Sequence, residues 1–596
     1  MSTRRPPYTG KERKLVLAFD VGTTYSGISY TVLDPGTEPK IYPVTRFPGR
    51  AGAGGDAKVP TVIYYAEDGT ICAIGAQTER EGLDALAQES SWIKAEWFKL
   101  HLRPKTCSSS SVSDDIPPLP LSKTPVDVFA DFLRYMKQCA KAYIEETHLV
   151  DGSDFWKSEK EEYIISHPNA WEGAQQTLMR NAAIQAGLVS DTASDRRRIQ
   201  FVTEGEASLN FCLDRGLTND SIRRGEGVTI VDAGGGTIDI STYARNPSNE
   251  NEYKEIAAAQ SYFKGSVFVT RAAAKFLDSS QFYDDVAFMT EKFDKSTKLL
   301  FRDPKDPQYI KFGNVRDKDL SRGIKWGQLK LEGFAYSFHV VAQFFEPSIQ
   351  CIVDGVVEQD RLSTQPVKTV FVVGGFAASD YLFSQLEKIL RLLGFNVYRP
   401  DPHLNKAVPD GSIAGYLRPS VRTRVSRFTY GVRCSRALDF SDEEHARRVS
   451  SANLSLRGRL VIPGIFSNIL DKHTQVSESQ EFRETYCEVA AGKEDLNGHK
   501  LTPILCYRGS LSSPRFLDED SENFHKMFTI HADTSDLIKQ AQECQGPFGS
   551  YYMLTFDFVI LFGLTELKVQ LAWTEDGVEK RTPAEVMFDT EIEYKD

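Results

Sequence analysis

Two segments of the chain repeat one pattern of residues whose types suit phosphate binding. The first reads LAFDVGTTYSGISY from Leu17 to Tyr30, and the second reads TIVDAGGGTIDISTY from Thr229 to Tyr243. Each has an apolar run that ends in aspartate, a glycine-rich turn that contains threonine, and a second run of alternating polarity. A repeated strand–turn–strand unit indicates a duplicated module, and we therefore predict an internal repeat.

The chemistry of each turn is that of a phosphate and magnesium site. Glycine lets backbone amides approach phosphate oxygens because no Cβ intervenes, and threonine hydroxyls add donors. Asp20 and Asp232 end the two apolar runs, and we expect them to hold a hydrated Mg²⁺, which prefers carboxylates, phosphate and water. Two facing carboxylates repel unless a cation lies between them. The candidate phosphate-binding residues of the turns are Gly22, Thr23, Thr24, Gly234, Gly235, Gly236 and Thr237.

Neither turn matches the commoner nucleotide motifs. No G-K-[ST] follows, so this is not a Walker P-loop, and no G-x-G-x-x-G opens a helix, so it is not a Rossmann fingerprint. A lone D-x-G-T or a glycine triplet is equally typical of a tight hairpin. Two similar units, each with aspartate at the end of a strand, favour the functional interpretation.

The elements around the turns alternate between strand and helix. Strands are predicted at 15–19, 163–166, 228–231 and 369–373, and helices after Pro125 and over 382–393. This order predicts an α/β body over 14–425. Beyond the basic connector 420–427, alternating residues from Leu567 to Trp573 and the turn pair Asp576-Gly577 predict a smaller, mainly β domain at 428–596. Residues 1–13 are predicted as a disordered tail, and 51–55 and 108–113 as surface loops.

Composition narrows the classes of protein to consider. The formal net charge of -11 argues against a general nucleic-acid binder. Nine cysteines occur as singletons without zinc or redox spacing, which is typical of reduced cytosolic thiols. No signal peptide is visible, and the late apolar run 558–562 is too short to span a bilayer. We expect a soluble, cytoplasmic monomer that binds neither nucleic acid nor membrane.

On these motifs the chain resembles the heat-shock-70 (DnaK-type) family of the actin-like ATPase superfamily. The segment 20–26 is similar to the family's first phosphate motif, 232–239 to the second, and 372–375 with the following helix to the adenosine motif. The segments 204–207 and 407–416 resemble the two that connect the lobes. The resemblance implies a duplicated, ribonuclease H-like, two-lobed domain that binds ATP or ADP with Mg²⁺.

The resemblance also implies roles for single residues. Asp20, Asp232 and Glu204 would organise Mg²⁺ and the attacking water, and the threonines of the turns would contact phosphate. Lys99 resembles the family's catalytic lysine, and Lys94 is a second candidate for that role. The alternative interpretation of Lys99 is a solvated lysine on a helix. The further contacts that it implies for the nucleotide are Tyr25, Gly265, Lys295, Lys298, Gly374 and Gly375. For Lys295 and Lys298 the alternative interpretation is that 291–301 forms a lysine-rich surface helix without contact to the nucleotide.

Several segments depart from the family pattern. In the family an acidic segment usually follows the outer-lobe glycine, which Gly265 resembles, but here 266–269 stands in its place. The adenosine motif has 376–379 where an arginine is usual. The acidic linker is replaced by the basic 420–427, and no room for a long helical lid is expected before Asp596. The chain therefore resembles a divergent, short-tailed branch, with 428–596 similar to a degenerate substrate-binding sandwich or forming an unrelated one.

Three functions are consistent with these patterns. The first is a weak Mg-dependent ATPase of chaperone type, a switch with a protein client or co-chaperone as partner. The second is a nucleotide-sensing scaffold with little or no turnover, which the departures favour. The third is a small-molecule kinase, against which the GGGTID turn and the β-rich carboxyl-terminal region argue.

Overall fold

The computed structural model describes two compact units. It covers residues 5–49, 57–104, 116–147, 156, 160–216, 225–249, 252–278, 285–320, 324–331, 340–400, 406–477, 479–496, 499–562, 567–582 and 586–587. Unit 1 comprises Met1–Trp171 and Leu178–Val421, and unit 2 comprises Glu172–Thr177 and Arg422–Asp596. The predicted loops 51–55 and 108–113 lie outside the described residues.

The amino-terminal half of unit 1 builds its main sheet around the first repeated segment. Its strands are β1 (Lys14–Asp20), β2 (Tyr25–Leu33), β3 (Tyr42–Pro43), β4 (Lys58–Pro60), β5 (Val62–Tyr65), β6 (Ile71–Ile74), β7 (Ile93–Glu96), β8 (Glu161–His167) and β9 (Ile199–Thr203). The sheet has the order β3-β2-β1-β8-β9, with β4 along β2, while β6-β5-β7 form a small separate sheet. β1 is antiparallel to β2 and parallel to β8.

The second half of unit 1 repeats this arrangement. Its strands are β10 (Gly227–Ala233), β11 (Ile238–Arg245), β12 (Tyr253–Tyr262), β13 (Gln308–Lys311), β14 (Ile324–Lys325), β15 (Gln328–Leu331), β16 (Val367–Val373) and β17 (Asn396–Tyr398). They follow the order β12-β11-β10-β16-β17, with β13-β15-β14 as a separate small sheet. As in the first sheet, three antiparallel strands are followed by two parallel ones. The predicted repeat is present in the structure as one strand order used twice.

Helices cover these sheets and supply much of the core. In the described residues they are Leu83–Glu89, Pro125–Thr147, Gly173–Gln185, Ala193–Arg196, Glu204–Asp214, Ser266–Asp278, Val286–Lys292, Lys298–Leu300, Val340–Leu362, Asp380–Leu392, Ala407–Leu417, Glu443–Arg447 and Ser535–Lys539. The helix Pro125–Thr147 begins as predicted, because Thr124 and Asp127 exchange hydrogen bonds across its first turn. Its buried Phe129 and Phe132 pack with Phe98 in the core of the first sheet.

One helix of the described residues, Val340–Leu362, is long and apolar enough to cross a bilayer by length and composition alone. Its Phe345, Ile349, Ile352 and Val356 are buried in the core cluster of the second sheet. A core helix passes the same test of length and composition, and packing accounts for the apolar face of this one.

The amino-terminal segment makes specific contacts within the described residues. The Tyr8 amide donates to the Thr37 carbonyl at 2.8 Å, and the Gly36 amide donates to the Tyr8 carbonyl at 2.8 Å. Tyr8 also packs against the apolar cluster around Val16 and Ile164. The disorder expected for residues 1–13 stays a prediction.

Unit 2 is built almost entirely from strands. They are β18 (Val421–Val425), β19 (Thr429–Ala437), β20 (Asn453–Leu454), β21 (Leu460–Leu470), β22 (Gln475–Ser477), β23 (Glu481–Ala490), β24 (His499–Tyr507), β25 (Phe524–Asp533), β26 (Gln542–Gly546), β27 (Gly549–Phe562), β28 (Leu567–Glu575), β29 (Val578–Arg581) and β30 (Val586–Met587). One sheet has the order β20-β21-β19-β24-β25-β30 and the other β23-β27-β28-β29, with β26 along β27. Ile504 and Phe528 of the first share one core with Ile560 and Leu571 of the second, as in a sandwich.

Two helices of unit 1 cross at unusually close range. They are Glu204–Asp214 and Ala407–Leu417, the segments that the sequence predicted as connections. A Cβ on Gly411 would overlap the Ala207 carbonyl, and one on Gly415 would overlap the Asn210 side chain. Glycine is therefore required at Gly411 for the two backbones to touch.

We expect Gly411→Ala to destabilise the protein by about 3 kcal/mol, since overpacking against a backbone outweighs the gain of about 1 kcal/mol in helix propensity. Urea unfolding measures the change. Gly375→Ala is the matched control, because its added Cβ meets no atom within 4 Å. Equal stabilities of the two variants would show that the helices separate at no cost.

Candidate functional site

The two predicted turns face one another inside unit 1. A Cβ on Gly235 would overlap the Thr24 hydroxyl, and one on Gly236 would overlap the Thr23 hydroxyl. A Cβ on Gly22 would overlap the carbonyl of its own turn, three residues further on. The first turn is anchored on the adjoining strand by the Thr61 amide, which donates to the Thr24 carbonyl at 2.8 Å. The structure thus brings the two halves of the sequence repeat into contact.

Two further predicted glycines converge on the second turn. The Gly265 amide donates to the Gly236 carbonyl at 3.2 Å, and a Cβ on Gly265 would overlap the Gly235 carbonyl. Gly374 follows β16, whose Val373 is in register with Asp232 on β10. At a φ of +90°, Gly374 lies where a Cβ would overlap the Asp232 carboxylate. Both glycines therefore let backbone pack directly against the second turn and the Asp232 carboxylate.

The carboxylates of the site are held at the starts and ends of regular elements. Asp20 ends β1 and accepts a hydrogen bond from the Ser166 hydroxyl at 3.2 Å. Asp232 lies at the end of β10 and accepts one from Ser208 at 2.7 Å. Glu204 is the first residue of the helix Glu204–Asp214, so Glu204 and Ser208 share one helix face at i, i+4 spacing. All three carboxylates are buried.

A fourth buried carboxylate, Asp239, was part of the second motif but was not predicted as a site residue. It pairs across the hairpin with Asp232 and is fully buried. The Asn169 amide donates to its Oδ1 at 2.6 Å, whereas its Oδ2 has no hydrogen-bond partner among the described residues. Its signal in the sequence is its position: Asp232 and Asp239 flank the turn on opposite strands of one hairpin.

Two lysines compensate this buried negative charge. Lys99, on the short 3₁₀ helix Phe98–Leu102, donates to Glu204 at 2.5 Å and lies 5.7 Å from the ring centroid of Trp171. Its side chain is only 4% exposed. Lys94, the competing candidate, lies on β7 and pairs with Glu96 near the surface. The structure therefore brings Lys99 and not Lys94 to the carboxylates.

The second lysine, Lys58, was missed by the sequence analysis. It lies on the short strand β4 and forms an ion pair with Asp20. No motif surrounds it, since Lys58 begins a three-residue strand of otherwise unremarkable composition. Only the pairing of β4 with β2 brings it to the site.

The electrostatics of the cluster follow from burial and mutual repulsion. Burial, with the charges of Glu204 and Asp20, raises the pKa of Asp232 to about 7. Burial also raises the pKa of Glu204 and, with the charge of Glu204, that of Asp239. For Lys99, burial alone lowers the pKa, but Glu204 and Asp20 outweigh it and raise the pKa. The carboxylates thus favour a proton or a cation among them.

A hydrated magnesium ion fits this donor set. No group of three His, Cys, Asp or Glu side chains within the described ranges is arranged to ligate a metal directly. Mg²⁺ keeps several waters and uses one or two carboxylates with phosphate oxygens, so Asp20 and Asp232 suit contact through water. The Oδ2 of Asp239, which has no hydrogen-bond partner among the described residues, is consistent with such a hydrated ion.

The residues predicted to contact the nucleoside differ in their exposure and surroundings. Tyr25 is 49% exposed, next to the first turn, and Gly375 has open space at its Cα. Phe376 is the first residue of the segment 376–379, which stands where the resemblance has an arginine. It is buried, and its ring centroid lies 5.9 Å from that of Phe345 in the core of the second sheet.

The two later lysines differ from one another. Lys295 lies on a π-helical turn, Phe293–Thr297, and pairs with Glu291 at 2.5 Å near the surface. Lys298 is buried, pairs with Asp294 and donates to the Thr270 hydroxyl at 3.0 Å. The Lys298 ammonium is therefore already engaged, while Lys295 has the accessible side chain.

Breaking the buried Lys99–Glu204 pair is expected to cost about 3–5 kcal/mol, because Lys99→Met leaves an uncompensated buried carboxylate. Adding Glu204→Gln to that variant should restore most of the loss. Lys295→Met removes an exposed pair and is the control, with an expected cost below about 1 kcal/mol. Denaturant unfolding measures all three, and a double variant no more stable than Lys99→Met would contradict the pairing.

The raised pKa of Asp232 predicts a stability that falls as pH rises. Between its ordinary value of 3.8 and about 7, the folded protein keeps the Asp232 proton and the unfolded chain does not. The free energy of unfolding therefore decreases through this interval, by up to about 1.4 kcal/mol per pH unit from this group. Unfolding at pH 5, 6, 7 and 8 without Mg²⁺ should show a shallower decline for Asp232→Asn. Parallel curves would refute the assignment.

Comparison with known proteins finds sequence similarity to one group of heat-shock proteins. No protein-family model matches it. It is 24% identical over 506 residues to heat shock 70 kDa protein 12A of mouse and of human, covering 70% of this chain and 72% of either relative. Human heat shock 70 kDa protein 12B is 21% identical over 564 residues, covering 80% of this chain and 79% of that protein. The chain is thus a distant relative of the divergent heat-shock-70 proteins 12A and 12B.

Proposed function

We propose that this chain is a heat-shock-70-type protein that binds Mg-ATP between its two turns and hydrolyses it slowly as a conformational switch. The observation that carries the proposal is the meeting of two related hairpins with Asp20 and Asp232 buried beside them. The duplicated strand order supports an actin-like, two-lobed arrangement of unit 1. The similarity to the 12A and 12B proteins supports the same family.

The residues of the site suit hydrolysis by a positioned water. The backbone amides and threonine hydroxyls of the turns would bind the phosphates, and Asp20 and Asp232 would orient the water shell of Mg²⁺. Bound Mg²⁺ would neutralise charge on the phosphate oxygens. Glu204, paired with Lys99, would orient the attacking water. Stabilisation of developing charge by fixed groups requires no covalent intermediate.

The charge balance explains why binding would require magnesium. Four buried carboxylates lie with two ammonium groups, and burial and mutual repulsion already disfavour their ionised forms, so a polyphosphate without its metal would add further negative charge. The metal-bound nucleotide carries less negative charge and brings a cation to the carboxylates. ATP and ADP would therefore bind far better with Mg²⁺ than without it.

A nucleotide-sensing scaffold with little turnover is the second candidate. Phe376 in the core and the engaged Lys298 are the observations that favour it, since both alter the expected nucleoside side of the site. A small-molecule kinase is disfavoured because a large β-rich unit accompanies the two repeats. In the switch and the scaffold alike, a protein client or co-chaperone would be the partner of a cytoplasmic monomer.

Thermal unfolding with Mg-ATP tests the binding. A ligand at about 100 times its Kd should stabilise the protein by about 2.7 kcal/mol. Gly235→Val is the control, since its side chain would occupy the space of Thr24. No shift in the wild-type protein would refute the proposal.

Single-turnover phosphate release then separates the hydrolysing switch from the nucleotide-sensing scaffold. Equal rates for wild type and Asp20→Asn would leave only the scaffold.

A further inference from the structure

Lys58 reaches the site by a route that the sheet makes possible. On neighbouring strands, Lys58 of β4 is in register with Gly27 of β2, and Gly27 is in register with Asp20 of β1. The three residues form one row across the sheet. Because neighbouring strands lie about 4.8 Å apart, Lys58 must extend across β2 to meet Asp20.

Glycine in the middle of this row leaves room for the lysine. An ideal Cβ on Gly27 would lie 3.2 Å from both Cδ and Cε of Lys58. The Lys58 stem therefore lies over the Gly27 backbone, and its ammonium pairs with the Asp20 Oδ2. A larger side chain at Gly27 would displace the stem from this path.

The charge of Lys58 affects carboxylates other than Asp20, its direct partner. It lowers the pKa of Glu204 and of Asp232, opposing the effect of burial on both. Its side chain is 14% exposed, whereas that of Lys99 is 4% exposed and held by Glu204 and the Trp171 ring. Lys58 is thus the more accessible of the two cations, on a flexible stem of four carbons.

We propose that Lys58 is a phosphate-binding residue that Asp20 holds in position until nucleotide arrives. This inference rests on the proposed function, because it needs a polyphosphate beside the first turn. Hydrated Mg²⁺ and an ammonium repel one another and compete for the same carboxylate. When Mg-nucleotide binds, the ammonium leaves Asp20 and donates to a phosphate oxygen, and Asp20 takes a water of the metal. The lysine thereby serves as counterion in one state and as ligand in the other.

Two consequences follow from this role. Removing the ammonium weakens binding of the phosphates, by about tenfold to a hundredfold for a charged hydrogen bond, and this distinguishes the role from a structural ion pair, whose loss would alter stability and leave the affinity unchanged. Removal also frees Asp20, so that Mg²⁺ alone stabilises the variant more than it stabilises the wild-type protein, as competition for one carboxylate requires.

The experiment uses the full chain with three variants. Lys58→Met removes the charge, Gly27→Val keeps the lysine but blocks its path, and Lys94→Met removes a lysine from the Lys94–Glu96 pair near the surface as the control. Calorimetric titration with ATP and Mg²⁺ gives the affinities, and thermal unfolding with MgCl₂ alone gives the response to the metal. We expect both site variants to bind ATP at least about tenfold more weakly and Lys94→Met to match wild type.

The outcomes separate this inference from the function on which it rests. If the wild-type protein binds no ATP, the proposed function fails and the inference fails with it. If the wild type binds ATP and both folded site variants bind it equally well, the role of Lys58 is overturned while the function stands. A Lys58→Met protein that fails to fold leaves Gly27→Val to decide by the same affinity measurement. A larger Mg²⁺-induced shift in Lys58→Met than in wild type supports the exchange of partners, and an equal shift overturns it.

Discussion

The site depends on the burial of four carboxylates around two turns. Ionised groups taken out of water are costly unless opposite charges or protons accompany them. Lys99 and Lys58 supply that compensation to Glu204 and Asp20, while burial and the charges of Glu204 and Asp20 raise the pKa of Asp232. A site whose buried carboxylates favour a proton or a cation is suited to a ligand that brings a metal ion.

Close approach of backbone is the second requirement. Gly235, Gly236, Gly265 and Gly374 each lie where a side chain would overlap a neighbouring segment. At Gly411 the same condition applies to two helices, far along the chain from the turns. Glycine therefore permits close contact both between the two turns, at Gly235 and Gly236, and within the second half, at Gly265 and Gly374.

The departures from the family pattern affect the two sides of the site differently. The turns, the carboxylates and a lysine beside them are all present, as the resemblance implies for phosphates and metal. On the side that the resemblance implies for adenosine, Phe376 is part of the core and the Lys298 ammonium is engaged by Asp294. The identity to the 12A and 12B proteins is 21–24%.

The sequence by itself determined the repeat, the strands that carry Asp20 and Asp232, and the start of the helix after Pro125, because these depend on local patterns of apolar residues, glycines and caps. The β-rich character of unit 2 was predictable for the same reason, including the hairpin turn at Asp576-Gly577, where both residues have positive φ. Only the tertiary structure decided which lysines reach the carboxylates. Lys58 is brought in by pairing between strands that are distant in sequence, and Lys99 is distinguished from Lys94 by burial. The contacts of Tyr8 likewise depend on partners further along the chain. Such contacts depend on how the strands pair across the sheet, which no local pattern in the sequence specifies.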